Sequence, residues 1–167
     1  LPTQVRWENV DVLIAPGQSE VIDILAERVP QLPELTTIIP VPVGIDTEAI
    51  AFCARPAGTN LVCLDDLTHT ASPIGLLQAF AELHLLDPAY NLHLAGRIED
   101  EGLIHSVYDF IEQAGLTDAV HFSPRPVDLN EYLADKHYVI SARHAMGQPV
   151  EVMQAMAAGV KPVVYAF

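Results

Sequence analysis

Basic residues are scarce in this chain. Its 167 residues hold 22 Asp and Glu against eight Lys and Arg, a formal net charge of −14, and Lys136 and Lys161 are the lysines. Such a balance repels nucleic acid and anionic membrane surfaces unless a local patch opposes it. It fits a soluble acidic protein, with adaptation to high salt as the second reading. Cysteine is as sparse. Cys53 and Cys63, without CxxC spacing, suggest neither a disulfide framework nor zinc. Cys63 falls in an apolar run and reads as a small buried hydrophobe. No apolar run nears the roughly 20 residues that span a bilayer. Leu1 to Arg6 is neither basic nor followed by the apolar core of a signal peptide. The cytoplasm is the default location. The chain has no GxGxxG, no GxxxxGK followed by Ser or Thr, and no HxxxH or HExxH, so dinucleotide, P-loop and metal sites are not indicated. Internal repeats and low-complexity segments are absent too.

What is present is apolar and regular. Half of the residues are hydrophobic, which marks a folded globular protein. The length suits one α/β domain, or one domain plus a piece of another. Leu1 is not a natural start and Phe167 stops on a strand, so the expectation is a piece of a longer protein.

Taken in order, Val10 to Ala15 reads as a strand, and Ser19 caps a helix to about Arg28 with Val21, Ile24 and Leu25 on its apolar face. Pro30 and Pro33 make a loop. Thr37 to Val43 is extended, its prolines suiting an edge or a linker. Thr47 starts a short helix. A regular alternation then begins. Strands are expected at 61–64, 91–95, 119–122, 138–140 and 162–165. Helices are expected at 73–86, with Ile74, Leu77, Phe80, Ala81 and Leu85 on one side, at 101–114, and from Asp128 to Asp135. The last helix starts at Pro149, with Val150, Met153 and Ala157 on one face and Gly159 as its stop. Strands alternating with helices of about ten residues mean a parallel sheet wound on both faces.

The polar residues of such a sheet collect where strands give way to helices. The first loop gives Asp65, Asp66, Thr68, His69, Thr70 and Ser72. Later loops give Arg97, then Ser123 and Arg125, then Arg143, His144, Gln148 and Glu151. Three arginines on one edge, beside the helix N-terminus at Pro149 to Glu151, can form an anion site. The alternative is three unrelated surface ion pairs. Asp65-Asp66 reads as a solvated loop or a helix-cap feature. His84 and His105, on helices, read as surface residues.

Four landmarks, in order along almost the whole chain, resemble the C-terminal half of a GT-B retaining glycosyltransferase of family 4. VPVGIDTEAI, Val41 to Ile50, is similar to the family's hinge segment. Leu76 to Gly96 is similar to the helix and strand after its lysine-glycine loop. Ala114 to Ala142 follows its third and fourth units. PVEVMQAMAAGVKPVV, Pro149 to Val164, is similar to its glutamate-alanine-methionine-alanine-x-glycine helix. The resemblance implies a Rossmann-like doubly wound nucleotide-sugar-binding domain over residues 51–167, expected to be incomplete at its C-terminus, a hinge over 37–50, and over 1–36 either the tail of a preceding domain or an added strand and helix. A response-regulator receiver, suggested by Asp65-Asp66, lacks its later aspartate, because Gly96-Arg97 stands at that strand end.

The resemblance also implies a nucleotide-diphosphate sugar as substrate, no cofactor and no metal, and an N-terminal acceptor domain as partner. It further implies a role in glycan or surface polysaccharide assembly, with the intact protein peripheral at the membrane. Self-association of the isolated chain is expected, and nucleic-acid binding is not. Yet the donor-binding positions depart from the family. Asp66 and Ala71 stand where an arginine and a lysine hold the diphosphate, and Met146 and Gln154 where two glutamates flank the last loop. Val43 replaces the hinge asparagine. Donor contacts are expected from Asp66, Ser72, Arg97, Arg125, Arg143, His144, Gln148, Glu151 and Gln154. Losing two charge-assisted hydrogen bonds costs on the order of 3–6 kcal/mol, or about two to four decades in affinity. A non-catalytic module that binds a partner or a glycan is therefore the alternative.

Overall fold

The structure, a computed structural model, describes residues 6–16, 19–29, 36–97, 101–142 and 149–164. The chain divides into two compact units, one of Leu1–Gly44 with Met146–Val150, the other of Ile45–Ala145 with Glu151–Phe167.

The first unit holds β1 (Val12–Pro16), α1 (Ser19–Arg28) and β2 (Thr37–Val41). The two strands pair in parallel, from Val12 opposite Thr37 to Pro16 opposite Val41. Thr36 is buried and its hydroxyl donates to the Val10 carbonyl at 2.9 Å, which fixes where β2 begins. Residues 37–41 of the expected hinge are thus a strand. Period-two alternation puts Ala15 inside and leaves Val12, Ile14, Ile39 and Val41 exposed together on the other face.

The second unit is built on five strands: β3 (Asn60–Cys63), β4 (Asn91–Ala95), β5 (Val120–Ser123), β6 (Tyr138–Ser141) and β7 (Lys161–Val164). Their order is β5-β4-β3-β6-β7 and every neighbouring pair is parallel. The helices are α2 (Pro73–Leu86), α3 (Glu101–Gln113), α4 (Leu129–Tyr132) and α5 (Val150–Ala157). Leu76, Leu77 and Phe80 of α2 and Val107 and Ile111 of α3 pack on Leu61, Cys63, Leu92 and Leu94. On the opposite face Leu133, just past α4, and Val152 and Ala155 of α5 pack on Val62, Leu64 and Val139. Burying each such Leu or Phe contributes roughly 1.5–3 kcal/mol.

Element ends follow local chemistry. Pro73 opens α2 at the first turn, where no intrahelical acceptor is lost. The Asp128 carboxylate accepts from the N–H groups of Asn130 and Glu131 and caps α4. Gly115 (φ 70°) and Gly159 (φ 89°) carry the chain out of α3 and α5 in the left-handed region. Four expectations change. The helix expected to reach Asp135 ends at Tyr132, and residues 133–135 are turns. Leu85 is exposed, and Leu76 takes its place in the buried stripe of α2. The buried stripe of α5 is Val152 and Ala155, one position round from Val150, Met153 and Ala157. Thr47 starts no helix: the Asp46 carboxylate accepts from the N–H groups of Glu48 and Ala49, and this side-chain turn competes with a helical start.

The segment after that turn is strapped down. Asn130 donates from Nδ2 to the Ala49 carbonyl (3.0 Å) and accepts at Oδ1 from the Ala51 N–H (2.8 Å). Cys53 N–H donates to the Ala158 carbonyl at 3.2 Å, and the Arg55 guanidinium donates to the Ala134 carbonyl. The Cys53 carbonyl lies where a Cβ on Gly159 would stand, so Gly159 serves close approach as well as its positive φ.

Candidate functional site

In this strand order the chain winds in opposite senses from β3 and from β6, and the crevice beyond the carboxyl ends of those two strands is where open α/β sheets take ligands. Asp65 stands at that point. It is buried, and its Oδ2 accepts from the Ser141 hydroxyl at 2.7 Å, joining the loop after β3 to the end of β6. Asp65 is therefore no solvated loop residue.

The loop after β4 presses onto the loop after β3. A Cβ on Gly96 would meet the Asp65 carbonyl and sit 2.9 Å from the Asp66 Cα, so only glycine fits. Leu67 N–H donates to the Arg97 carbonyl at 2.8 Å. In return the Arg97 N–H donates to Asp66 Oδ1 at 2.9 Å, and Arg97 Nη2 to Oδ2 at 3.2 Å. Partial burial pushes the Asp66 carboxyl up. The Arg97 N–H, the Arg125 charge and the Arg97 guanidinium outweigh it and hold the group below its ordinary value. Asp66 is thus the acceptor in a tight turn-to-turn contact, not an open carboxylate.

Downstream, Thr68 Oγ1 accepts from the Ala71 N–H at 3.2 Å and caps a short 3-10 turn, His69–Ala71. Ala71 is buried. Ser72 then takes φ 49° and ψ 53°, and among the described residues it is the non-glycine with positive φ. An L-residue in that region costs roughly 1–2 kcal/mol, and the conformation swings the chain into α2. On the β5 side Ser123 Oγ and Tyr132 OH lie 2.9 Å apart. Arg125 Nη2 donates to Glu151 Oε1 at 2.9 Å, in the first turn of α5.

Of the residues expected to contact a donor, the structure brings together Asp66, Arg97, Arg125 and Glu151 as two ion pairs, with the Arg125 charge felt at Asp66. Ser72 lies at the start of α2, and Gln154 is half-buried on α5. Arg143, His144, Met146 and Gln148 lie outside the described residues.

A second polar cluster escaped the sequence reading. His93 and His121 stand opposite each other on β4 and β5, ring centroids 4.9 Å apart. Beside them Lys136 is buried, bonded to the Asp135 carboxylate and 4.9 Å from the centre of the Tyr132 ring. Burial first, then the Lys136 and His121 charges, lowers His93 to about 4, with Asp135 opposing. Burial likewise raises the Tyr132 phenol, against its hydrogen bond to Ser123. The signal was there: NLHLA and VHFS put a histidine third and second in neighbouring parallel strands. His84 is not a plain surface residue either, since its Nδ1 lies 3.0 Å from the Tyr90 carbonyl. Among the described residues no group of three or more His, Cys, Asp or Glu is gathered to hold a metal, and no helix is long and apolar enough to cross a membrane.

Strand order, helices on both faces and a rim at the β3–β6 switch define a Rossmann-like domain, the C-terminal half of a GT-B glycosyltransferase. The chain belongs to the group 1 glycosyl transferases, whose family model matches residues 58–167. No curated protein matches it by sequence. Among solved structures it is similar to a glycosyltransferase from Rickettsia africae (TM-score 0.78, 12% identity, covering 92% of this chain and 44% of that one). It is also similar to Anabaena HepE in complex with UDP and glucose (0.74, 17%, 92% and 44%). A third is the pneumococcal O-GlcNAc transferase GtfA in complex with UDP and GlcNAc (0.71, 17%, 93% and 30%). The chain therefore spans less than half the length of each of these proteins, and at such identities the likeness is one of fold.

Proposed function

We propose that this chain is the donor-side module of a glycosyltransferase. It takes a nucleotide-diphosphate sugar at the carboxyl ends of β3 and β6, and the whole protein transfers the sugar to a glycan or other acceptor. The observation that carries the reading is the parallel sheet of a group 1 family member with its polar loops gathered at the switch point. UDP in the HepE and GtfA complexes supports that ligand class. The leaving diphosphate is supported by hydrogen-bond donors and arginine charge rather than by a metal. The acceptor is held mainly by an N-terminal domain, in a cytoplasmic protein that works at the membrane surface. Asp66 in place of a phosphate-binding arginine weakens donor binding, so UDP or GDP binds this chain no tighter than about millimolar.

The test is turnover by the full-length protein against a panel of nucleotide sugars, with calorimetry of UDP and GDP on this chain with and without EDTA. Turnover of one donor, with EDTA-insensitive binding, supports the reading. No turnover and no nucleotide binding overturns it. Asp66 locked onto Arg97 favours, in that event, the second reading: a non-catalytic module that binds a partner or glycan.

A further inference from the structure

We propose that Asp66 and Glu151 are internal competitors for the diphosphate: each carboxylate occupies an arginine of the rim, and the ligand is taken up by displacing them from Arg97 and Arg125. This rests on the donor-site reading above and names what sets its affinity.

The geometry is specific. Asp66 uses both oxygens on one neighbour, Oδ1 on the Arg97 N–H at 2.9 Å and Oδ2 on Arg97 Nη2 at 3.2 Å. That is the donor set, backbone N–H plus guanidinium, that a phosphate oxygen pair accepts from. Glu151 holds Arg125 Nη2 at 2.9 Å. One pair joins the loop after β3 to the loop after β4, and the other joins the loop after β5 to the first turn of α5. Neither lock is permanent. The Arg97 side chain is 79% exposed and that of Arg125 48%, and ion pairs so open to water hold weakly. A dianionic ligand arriving at the rim meets arginines already neutralised and two carboxylates that repel it. Removing each negative charge both frees a donor and lifts a repulsion, whereas a substitution that only shrinks the side chain leaves the question of charge open.

The experiment uses the isosteric changes Asp66→Asn and Glu151→Gln, singly and together. Asn at 66 still offers an oxygen to the Arg97 N–H, and thermal melts check that the fold is kept. Calorimetry measures UDP and inorganic pyrophosphate at low and at physiological salt. A control, Asp109→Asn with Asp118→Asn, removes the same net charge from exposed positions away from the rim. The double variant should bind pyrophosphate and UDP at least tenfold tighter than the wild type, and the control less than twofold tighter. Adding Arg97→Ala and Arg125→Ala to the double variant should return the gain.

If neither ligand gains, or the control gains as much, the proposal is overturned, whatever the wild type's own UDP affinity. If both ligands gain but UDP binds no tighter than pyrophosphate, the competitors are real and the nucleotide-donor reading is the one that fails. A gain that survives removal of both arginines also overturns the proposal, because the freed donors then lie elsewhere.

Discussion

The two sheets of this molecule are both parallel, yet they are finished differently. The five-stranded sheet has helices on each face, and Val62, Leu92 and Val139 are fully buried in it. In the two-stranded sheet Ala15 is buried on one face while Ile14 on the other is 63% exposed. Parallel strands are ordinarily covered on both sides, and two strands alone are marginal in water. The same apolar alternation thus stabilises one sheet by burial and leaves the other with an unsatisfied surface. Burial, not the apolar pattern itself, decides what a residue contributes.

The sharpest way to break the comparison is to delete matching groups from both. Leu77→Ala, at a fully buried site, should cost about 2–5 kcal/mol, while Ile14→Ala should stay within roughly 0.5 kcal/mol. Urea titration of both variants decides, and equal losses would sink the contrast.

Next in size is an acid effect confined to the larger sheet. His93 resists in the folded state, down to about pH 4, a proton that the unfolded chain accepts near its ordinary 6.5. Between those values the unfolded chain binds more protons, so stability is present above about pH 6.5, falls as pH drops towards 4, and levels off below. His121, Lys136 and Asp135 are the charged or titratable groups around it. His93→Gln should flatten melting temperature across that window; an unchanged slope rules the histidine out as its source.

A smaller gain is expected at the rim. Ser72→Gly relieves a left-handed backbone, and the net improvement should be about 0.5–1 kcal/mol after the entropy of glycine is counted. A loss on denaturant titration would mean that the Ser72 side chain holds the turn.

The smallest change in stability, and the largest in behaviour, belongs to the open face. Val12, Ile14, Ile39 and Val41 form a contiguous apolar surface, and a surface of that kind is expected to promote self-association. Sedimentation at rising concentration should show oligomers, and Ile14→Asp with Ile39→Asp should abolish them. A wild-type chain that stays monomeric at high concentration removes this prediction.

The sequence made the larger sheet readable because its signals are local. Pro73 and the 73–86 apolar stripe placed α2 at both ends, and Gly115 and Gly159 marked two helix stops that the left-handed φ values explain. The site was less legible. Asp66 and Arg97 are 31 positions apart, and Arg125 and Glu151 are 26 apart, so no pattern within one element announces that these charges pair. A motif comparison could say that a cation was missing at 66. It could not say that the aspartate there turns back on its own neighbour. The His93–His121 pair needed one more step, the knowledge that β4 and β5 lie side by side.

Asn130 sets the register of the segment that leads into the larger sheet. Its amide reads one passing segment in both directions, donating a hydrogen bond to the Ala49 carbonyl and accepting one from the Ala51 N–H. An aspartate could only take and a lysine could only give, so the position is written in a two-letter alphabet of asparagine or a near equivalent. Residues 49–51 lie inside the unit that begins at Ile45, and one side chain spells their position there. An insertion of a single residue between 49 and 51 garbles the message.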